Sequence, residues 1–390
     1  MNRKDIDPKS VFIKLLGYCS GNDWAGYDPY DALNSAFFES SALGRSKIAR
    51  LAATQILKRS PVNVRGLLQV PKTQNAKAIA LFLVALLNGR ELWNGNGENL
   101  VDQLAGRLAA LRSPGTPYSC WGYSFPWQTR SILVPREAPN LVCTTFGAEA
   151  SLSLYEQYHA PKYLEMAVSA AEYILENLYW SDHGSMAGFS YPLPTVQNQV
   201  HNANFLASAL FCHVYKHTGD ERFLVPALRA ARYSAGKQRS DGSWVYGEGP
   251  SQQWIDNFHT GFNLCALRSI SRDLGTNEFD SCIQRGFRFY KDSFFRADGE
   301  VKYFHDRRYP VDIHCVAQGI ITLLECQELH AGNVQLAHSV FKWAMRNMWD
   351  NRGFFYYRVH RVGTVRTSYM RWSQAWMLVA LSKLVHTSAI

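Results

Sequence analysis

The chain has 390 residues, 47% hydrophobic and 13% aromatic, with 41 basic against 32 acidic side chains and a net charge of +9. That is enough apolar material for a large core. The basic residues are scattered (Arg45 to Arg50, Arg229 to Arg232, Arg285 to Arg288) and no nucleic-acid motif accompanies them, so the charge points to anionic partners in general rather than to nucleic acid. Eight cysteines without a C-x-x-C pair read as reduced core thiols, not as a disulfide framework or zinc ribbon. No apolar run reaches about 18 residues, and MNRKDIDPKSVFIKLL lacks a secretory h-region, so a soluble, cytoplasmic chain without a transmembrane segment is expected.

Along the chain, 8–18 and 31–43 look helical, as extra N-terminal elements or as one more hairpin. The 46–58 segment, with its Arg/Lys-rich face, is expected to close the structure beside the last helix. NAKAIALFLVALLNGR (75–90) is apolar nearly all round and reads as an inner helix, whereas ENLVDQLAGRLAALR (98–112) has a single apolar stripe and reads as an outer one. The alternation recurs. Apolar segments at 141–158, 200–217, 257–274, 312–330 and 368–386 are interleaved with amphipathic ones at 161–178, 221–237, 277–293 and 333–347. Asp220 and Asn277 are candidate N-caps, and 353–359 with 364–369 is a candidate strand pair.

Gly66, Gly122, Gly184, Gly242, Gly299 and Gly353 recur at intervals of 54 to 62 residues, most within aromatic, polar loops such as CWGYSFPW and DGSWVYGEG. A fixed period with one supersecondary unit per repeat indicates a repeat architecture. The predicted fold is all-α, an (α/α)6 toroid forming a single domain over 1–390, with 1–43 as possible extra helices and short strand pairs in its loops. The long outer-to-inner loops then open on one face. They feed the inner helix N-termini, whose free N–H groups suit anionic or polyhydroxyl ligands.

Those loops hold the candidate site residues. GYDPYDALNS (26–35) offers Tyr27 and Asp28, with Asp31 as a natural cap for the following helix. CWGYSFPWQTR (120–130) offers Trp121, Trp127 and Arg130, a set suited to stacking a sugar and forking onto a carboxylate. His201 and Asn202 open one apolar segment. DGSWVYGEGPSQQWIDNFHTGF (241–262) brings Trp244, Trp254, Asp256 and His259. Asp256 and His259 lie three apart on one helical face, where a carboxylate can orient a proton-transfer base. Tyr303, Asp312 and His314 follow, then Tyr356, Tyr369, Arg371 and Trp372. Cys212–His213 and His314–Cys315 are adjacent pairs without a zinc signature, and no phosphate loop or nucleophile elbow occurs. No metal and no cofactor is therefore expected.

The residues GYDPYDALNS, DGSW (241–244), QWIDNFHTGFNL (253–264) and YMRWSQAWM (369–377) give the chain a resemblance to the six-hairpin (α/α) glycosidase-like superfamily. More narrowly, it resembles the Vps-type bacterial polysaccharide biosynthesis proteins. The resemblance implies an oligo- or polysaccharide substrate, anionic and lipid-linked glycans included, in surface polysaccharide assembly. DGSW is also similar to a motif of terpenoid cyclases, but no DxDD or DDxxD motif accompanies it. Three functions compete. Uronate epimerisation or β-elimination needs a base, an acid and a cation, for which His201, His259, Tyr303, Tyr356, Tyr369, Arg130 and Arg371 are candidates; this chemistry is preferred. Hydrolysis needs two carboxyls roughly 5–10 Å apart, from Asp28, Asp241, Glu248, Asp256, Asp306 and Asp312. A non-catalytic glycan-binding or scaffold protein would need only the aromatic and Arg positions.

Overall fold

The computed structural model describes residues 7–93 and 97–387, and among these fourteen helices form. Six of them make a closed inner ring: α4 (Ala76–Asn88), α6 (Leu141–Tyr158), α8 (His201–Thr218), α10 (Asn257–Leu274), α12 (Ile313–Glu325) and α14 (Trp376–Leu384). Each packs on the inner helix before and after it, and α14 returns to α4. The outer helices α5 (Gly97–Ala110), α7 (Pro161–Asn177), α9 (Glu221–Gly236), α11 (Asp280–Phe294) and α13 (Asn333–Asn347) each pack back on the inner helix that precedes them. Patterning decides the layer. Every residue of α12 from Ile313 to Leu324 is buried, whereas α11 buries one stripe: Cys282, Ile283, Gly286, Phe287, Tyr290 and Phe294.

The sixth outer helix is α1 (Pro8–Gly21), which packs on α14 and closes the toroid at six hairpins. The 46–58 segment does not fill that place. It forms α3 (Lys47–Arg59), which lies on the short turns before it and on β1 (Trp127–Gln128). The predicted helix at 31–43 breaks into a 3₁₀ turn at Asp31–Asn34, α2 (Ala36–Ser40) and a second 3₁₀ turn at Ala42–Arg45. Asp31 caps no helix. Its carboxylate accepts from the Asp28 N–H at 2.8 Å and pairs with the buried Arg65, also at 2.8 Å, while Ser35 caps α2. Residues 22–75 thus make a folded segment across one end of the ring, with a small core of Ala32, Leu57 and Val70.

The periodic glycines explain the ring's spacing in part. Gly242 and Gly299 sit at φ +90° and +89°, a left-handed conformation that costs other residues strain. A Cβ there would come within 2.4 Å of the Arg285 or Ser339 carbonyl oxygen, on outer helices α11 and α13. Gly353 repeats the arrangement against Lys14 of α1, which marks α1 as the next outer helix in sequence round the ring. Gly66 and Gly184 meet no such neighbour, so only part of the six-glycine period reports one structural position.

Asp220 caps α9 through the Arg222 N–H at 3.0 Å. Asn277 is not a cap. Helix α11 begins three residues later, and Asn277 offers only its main-chain oxygen to Asp280. The strands are short. β1 pairs with β2 (Leu133–Val134), β3 (Tyr179–Ser181) with β4 (Ala187–Phe189), and β6 (Trp349–Asp350) with β7 (Phe354–Phe355). β8 (Arg358–Val359) joins β5 (Val311–Asp312) to β9 (Thr364–Val365), so the expected pairing near 353–369 forms over its second half. All eight cysteines are free thiols. No described helix is long and apolar enough to cross a membrane.

Candidate active site

The inner helices begin at one end of the ring, and polar side chains immediately before them cap their first turns. Asn75 accepts from the Lys77 N–H, Asn140 from Cys143, Asp256 from His259 and Asp312 from His314, at 2.9–3.1 Å. Capping fixes the next side chains at the mouth: Lys77 on α4, His259 on α10 and His314 on α12; Asn202 stands in the first turn of α8, which has no side-chain cap. Arg371 and Trp372 arrive on a π-helical stretch, Met370–Ala375, leading into α14. Such local widening re-aims side chains and is frequent at functional sites.

His259 is the best-oriented proton-transfer group. Its Nδ1 lies 2.7 Å from Asp256 Oδ2, which also accepts from the Trp254 indole at 2.8 Å. A carboxylate on Nδ1 holds the proton there and leaves Nε2 with its lone pair available. Asp256 is fully buried at its side chain, whereas His259 is 20% exposed. Tyr246 stacks on Trp254 at 4.4 Å between centroids and lies 4.5 Å from the His259 ring. Burial raises the Tyr246 and Tyr303 phenols well above the ordinary value, with the Asp256 charge adding to it, so both stay as hydrogen-bond donors. Tyr30 and Tyr191 are close enough to act on Tyr246 as well. Tyr30 comes from the 22–75 segment, resting edge-on against Trp372 at 5.6 Å with its hydroxyl 2.6 Å from Lys58 Nζ.

Below this rim lie two polar groups in aromatic surroundings. His314 is stacked between Phe258 (4.6 Å) and Trp376 (4.7 Å), with Trp372 edge-on at 4.6 Å. Neither ring nitrogen has a hydrogen-bond partner in the protein. Burial, reinforced by the nearby Lys77 and Arg371 charges, holds its pKa well below the usual histidine value, so the ring is neutral. Lys77 is 3% exposed, its ammonium 4.2 Å from the Phe146 centroid and 5.2 Å from that of Trp376. Burial, with Arg371 nearby, lowers its pKa to about 7. No described carboxylate pairs with it: Asp28, which acts on it at a distance, is held by Arg371 at 2.7 and 2.9 Å. Asn202 Oδ1, Asn263 Oδ1 and Trp127 Nε1 are likewise buried and unpaired within the protein. Buried polar groups are normally satisfied, so this concentration marks where a polar ligand or water belongs.

Of the predicted residues, His259, Asp256, Trp254, Tyr303, His314, Arg371, Trp372, Asn202 and Trp127 stand at or just beneath the mouth. Several others are structural. Trp121 and Trp244 are buried, their indoles donating to the Leu108 and Ser234 carbonyls, so no sugar can stack on them. His201 turns outward between α8 and α9, 3.2 Å from the Ser234 hydroxyl, and burial lowers its pKa to about 4. Tyr369 is fully buried against Tyr357 and Arg65, which removes it from proton transfer with a ligand. Tyr356 lies with Asp350 and Arg366. Tyr27 sits near Arg65 and Lys72 and bridges to Tyr369, anchoring the N-terminal segment. Arg130 is exposed at the rim, tied to the Ser251 carbonyl at 3.1 Å.

The carboxylates expected to be free are engaged. Asp28 forms its two-point pair with Arg371. Asp312 accepts from the His314 N–H and the Trp372 indole on one oxygen and from Arg358 Nε at 2.9 Å on the other. Arg371, expected to meet a substrate carboxylate, is thereby neutralised, and Lys77 is a buried cation that no described carboxylate pairs with. Lys77 was missed in the sequence although its signal is there, as the one charge within the apolar run 73–89. Tyr191 and Tyr246 were missed too, because nothing local shows that their loops converge with the one that carries Tyr30.

By sequence the chain matches no family model and no curated protein. By structure it is similar to cellobiose 2-epimerase from Bacillus thermoamylovorans, with TM-score 0.64, 10% identity and coverage of 81% of this chain and 90% of that one. It is similar to the Lin0763 protein of Listeria innocua (TM-score 0.64, 10% identity, 97% of each chain). It is also similar to an unsaturated glucuronyl hydrolase specific for heparin (TM-score 0.61, 12% identity, 97% of this chain and 95% of that one). At such identities the likeness carries the (α/α)6 toroid fold and no residue roles.

Proposed function

We propose that this protein is an enzyme performing acid–base chemistry on a glycan, of the epimerase or lyase type, with a carboxylate-bearing sugar as substrate. The observation that carries the reading is the set of groups beneath the mouth: the Asp256-oriented His259, the neutral, unpaired His314, and Lys77 without a counter-ion. Removing a proton from the carbon next to a carboxylate needs a base, a cation for the charge that develops on the carboxylate, and a second group to return a proton or assist departure of the leaving oxygen. His259 Nε2 is the base, Lys77 in its ammonium form the cation, and the phenol of Tyr246 or Tyr303 the proton donor, while the neutral His314 ring offers a hydrogen bond only. The Tyr246–Trp254 stack and Trp127 offer flat faces for a pyranose. A cation preorganised in a low-dielectric site contributes about 3–4 kcal/mol to such a transition state.

Hydrolysis is less well supported, since Asp28, Asp256 and Asp312 are all engaged. Asp241 bonds Ser243, Glu248 lies on the Tyr233 hydroxyl, and Asp306 is exposed beside Arg307. Two fold neighbours named as a sugar epimerase and a glucuronyl hydrolase agree with a carbohydrate substrate, and the motif resemblance favours a place in bacterial surface polysaccharide assembly, in the cytoplasm. The test is an NMR time course in D2O with uronate-containing and neutral oligosaccharides. Deuterium at C5 without cleavage identifies an epimerase, and a new unsaturated uronate a lyase. A new reducing end alone means hydrolysis and overturns the reading. Line broadening without turnover means a binding protein. If His259→Gln and His314→Gln both turn over a verified substrate normally, the assignment of roles is wrong.

A further inference from the structure

At the opposite end of the ring a second polar cluster lies between α6 and α8. His213 and His217 are one turn apart on α8, and the Nε2 atoms of both lie 3.2 Å from the same oxygen, Glu156 Oε1. These three donor atoms all fall within 4.8 Å of one another, the one such group of three among the described residues. His213 and His217 stand 12 and 16 residues beyond the start of α8, about 18–24 Å from the mouth at about 1.5 Å per residue.

We propose that Glu156, His213 and His217 form a binding site for a divalent transition-metal ion of the zinc class, with its fourth position left to water. The edge of a tetrahedron with metal–ligand bonds of about 2.0–2.1 Å is about 3.3–3.4 Å. Both histidine-to-Glu156 separations match it, and the two imidazole nitrogens lie within 4.8 Å of each other. The donor set of two imidazoles and one carboxylate suits zinc, and also cobalt or nickel as probes. A second carboxylate fixes the tautomer: Glu149 Oε2 lies 3.0 Å from His213 Nδ1, so His213 donates there and turns its Nε2 lone pair towards Glu156. A carboxylate behind a metal-bound imidazole is the usual outer-shell arrangement and raises the basicity of the ligand. Glu149 and Glu156 are seven residues apart on α6, on one face of that helix. The His217 ring is held edge-on by Tyr155 at 5.4 Å.

Lys216 competes for the same carboxylate: it reaches Glu156 at 3.7 Å while also pairing with Asp273 at 3.4 Å, so an ion on Glu156 would leave Lys216 to Asp273. The ion would tie inner helix α6 to inner helix α8 at the end of the ring remote from the mouth. The inference does not rest on the glycan reading.

Untagged, chelator-treated full-length protein is titrated with zinc by calorimetry at pH 7.5, and with cobalt by absorption spectroscopy. The expected result is one ion per chain, a tetrahedral cobalt spectrum without thiolate charge-transfer bands, and a raised thermal midpoint. Glu149→Gln should weaken binding about 10- to 100-fold, and His217→Gln should abolish the tetrahedral spectrum while circular dichroism shows the fold retained. Equal binding by the wild type and a Glu156→Gln/His217→Gln double variant would overturn the proposal, as would thiolate bands that survive in that variant. Either result would leave the cluster as an ion-pair network between α6 and α8.

Discussion

Replacing Lys77 by Met should stabilise the protein while abolishing turnover. In the folded chain the Lys77 amine gives up its proton at about pH 7, against 10.5 ordinarily, because it is buried beside Arg371 with no anion to pair with. Each pH unit of displacement corresponds to about 1.4 kcal/mol, so holding the ammonium inside costs the folded state at most about 5 kcal/mol. The Phe146 and Trp376 rings offset about 1–2 kcal/mol of that. Methionine has nearly the same length, no charge, and fills such a space well. At pH 6.5, where the full cost applies, Lys77→Met should therefore gain about 3 kcal/mol. Between about pH 7 and 10.5 the unfolded chain binds the extra proton and the folded one does not, so wild-type stability rises with pH relative to the variant, and the advantage should fall to nearly zero by pH 10.5. Urea unfolding of both proteins at pH 6.5, 8 and 9.5 measures this, because titrating groups that do not interact with Lys77 cancel in the difference. Parallel pH profiles, or a variant less stable at pH 6.5, would show that Lys77 is not an uncompensated buried cation. The argument for a substrate carboxylate would then lose its basis.

Arg371→Met leaves Asp28 buried with its partner gone and should cost about 3–5 kcal/mol in urea unfolding. Pairing it with Asp28→Asn should recover much of that loss. Asp256→Asn removes the carboxylate that orients His259, so turnover of a verified substrate should fall by about 10²- to 10⁴-fold with little change in the far-UV spectrum. Gly242→Ala forces a Cβ into a left-handed residue 2.4 Å from the Arg285 carbonyl oxygen and should cost at least about 2 kcal/mol, whereas Gly184→Ala, outside the left-handed region and in ordinary contact with the Asp182 carboxylate at 3.5 Å, should change stability by less than about 0.5 kcal/mol.

Read alone, the sequence determined the layers. Whether a helix is apolar all round or along one stripe depends on which of its residues must leave water, and that is written in the 3.6-residue pattern. The inner ring and five of its six outer partners were legible for this reason. So was the pairing of Asp256 with His259, since three residues on a helix fix their relation without help from elsewhere. Tertiary structure decided the rest. Whether 8–21 or 46–58 closes the ring depends on which face meets α14 across more than 300 residues of chain, and both segments are short helices with an apolar side. Asp28 and Arg371 stand 343 residues apart, so nothing local reveals that each neutralises the other and that Lys77 is left buried with no described carboxylate to pair with. Trp121 and Trp244 look like sugar platforms from their loop setting, yet the neighbouring hairpin buries them. A residue's exposure is a property of what packs on it, and in a closed ring that partner comes from another repeat.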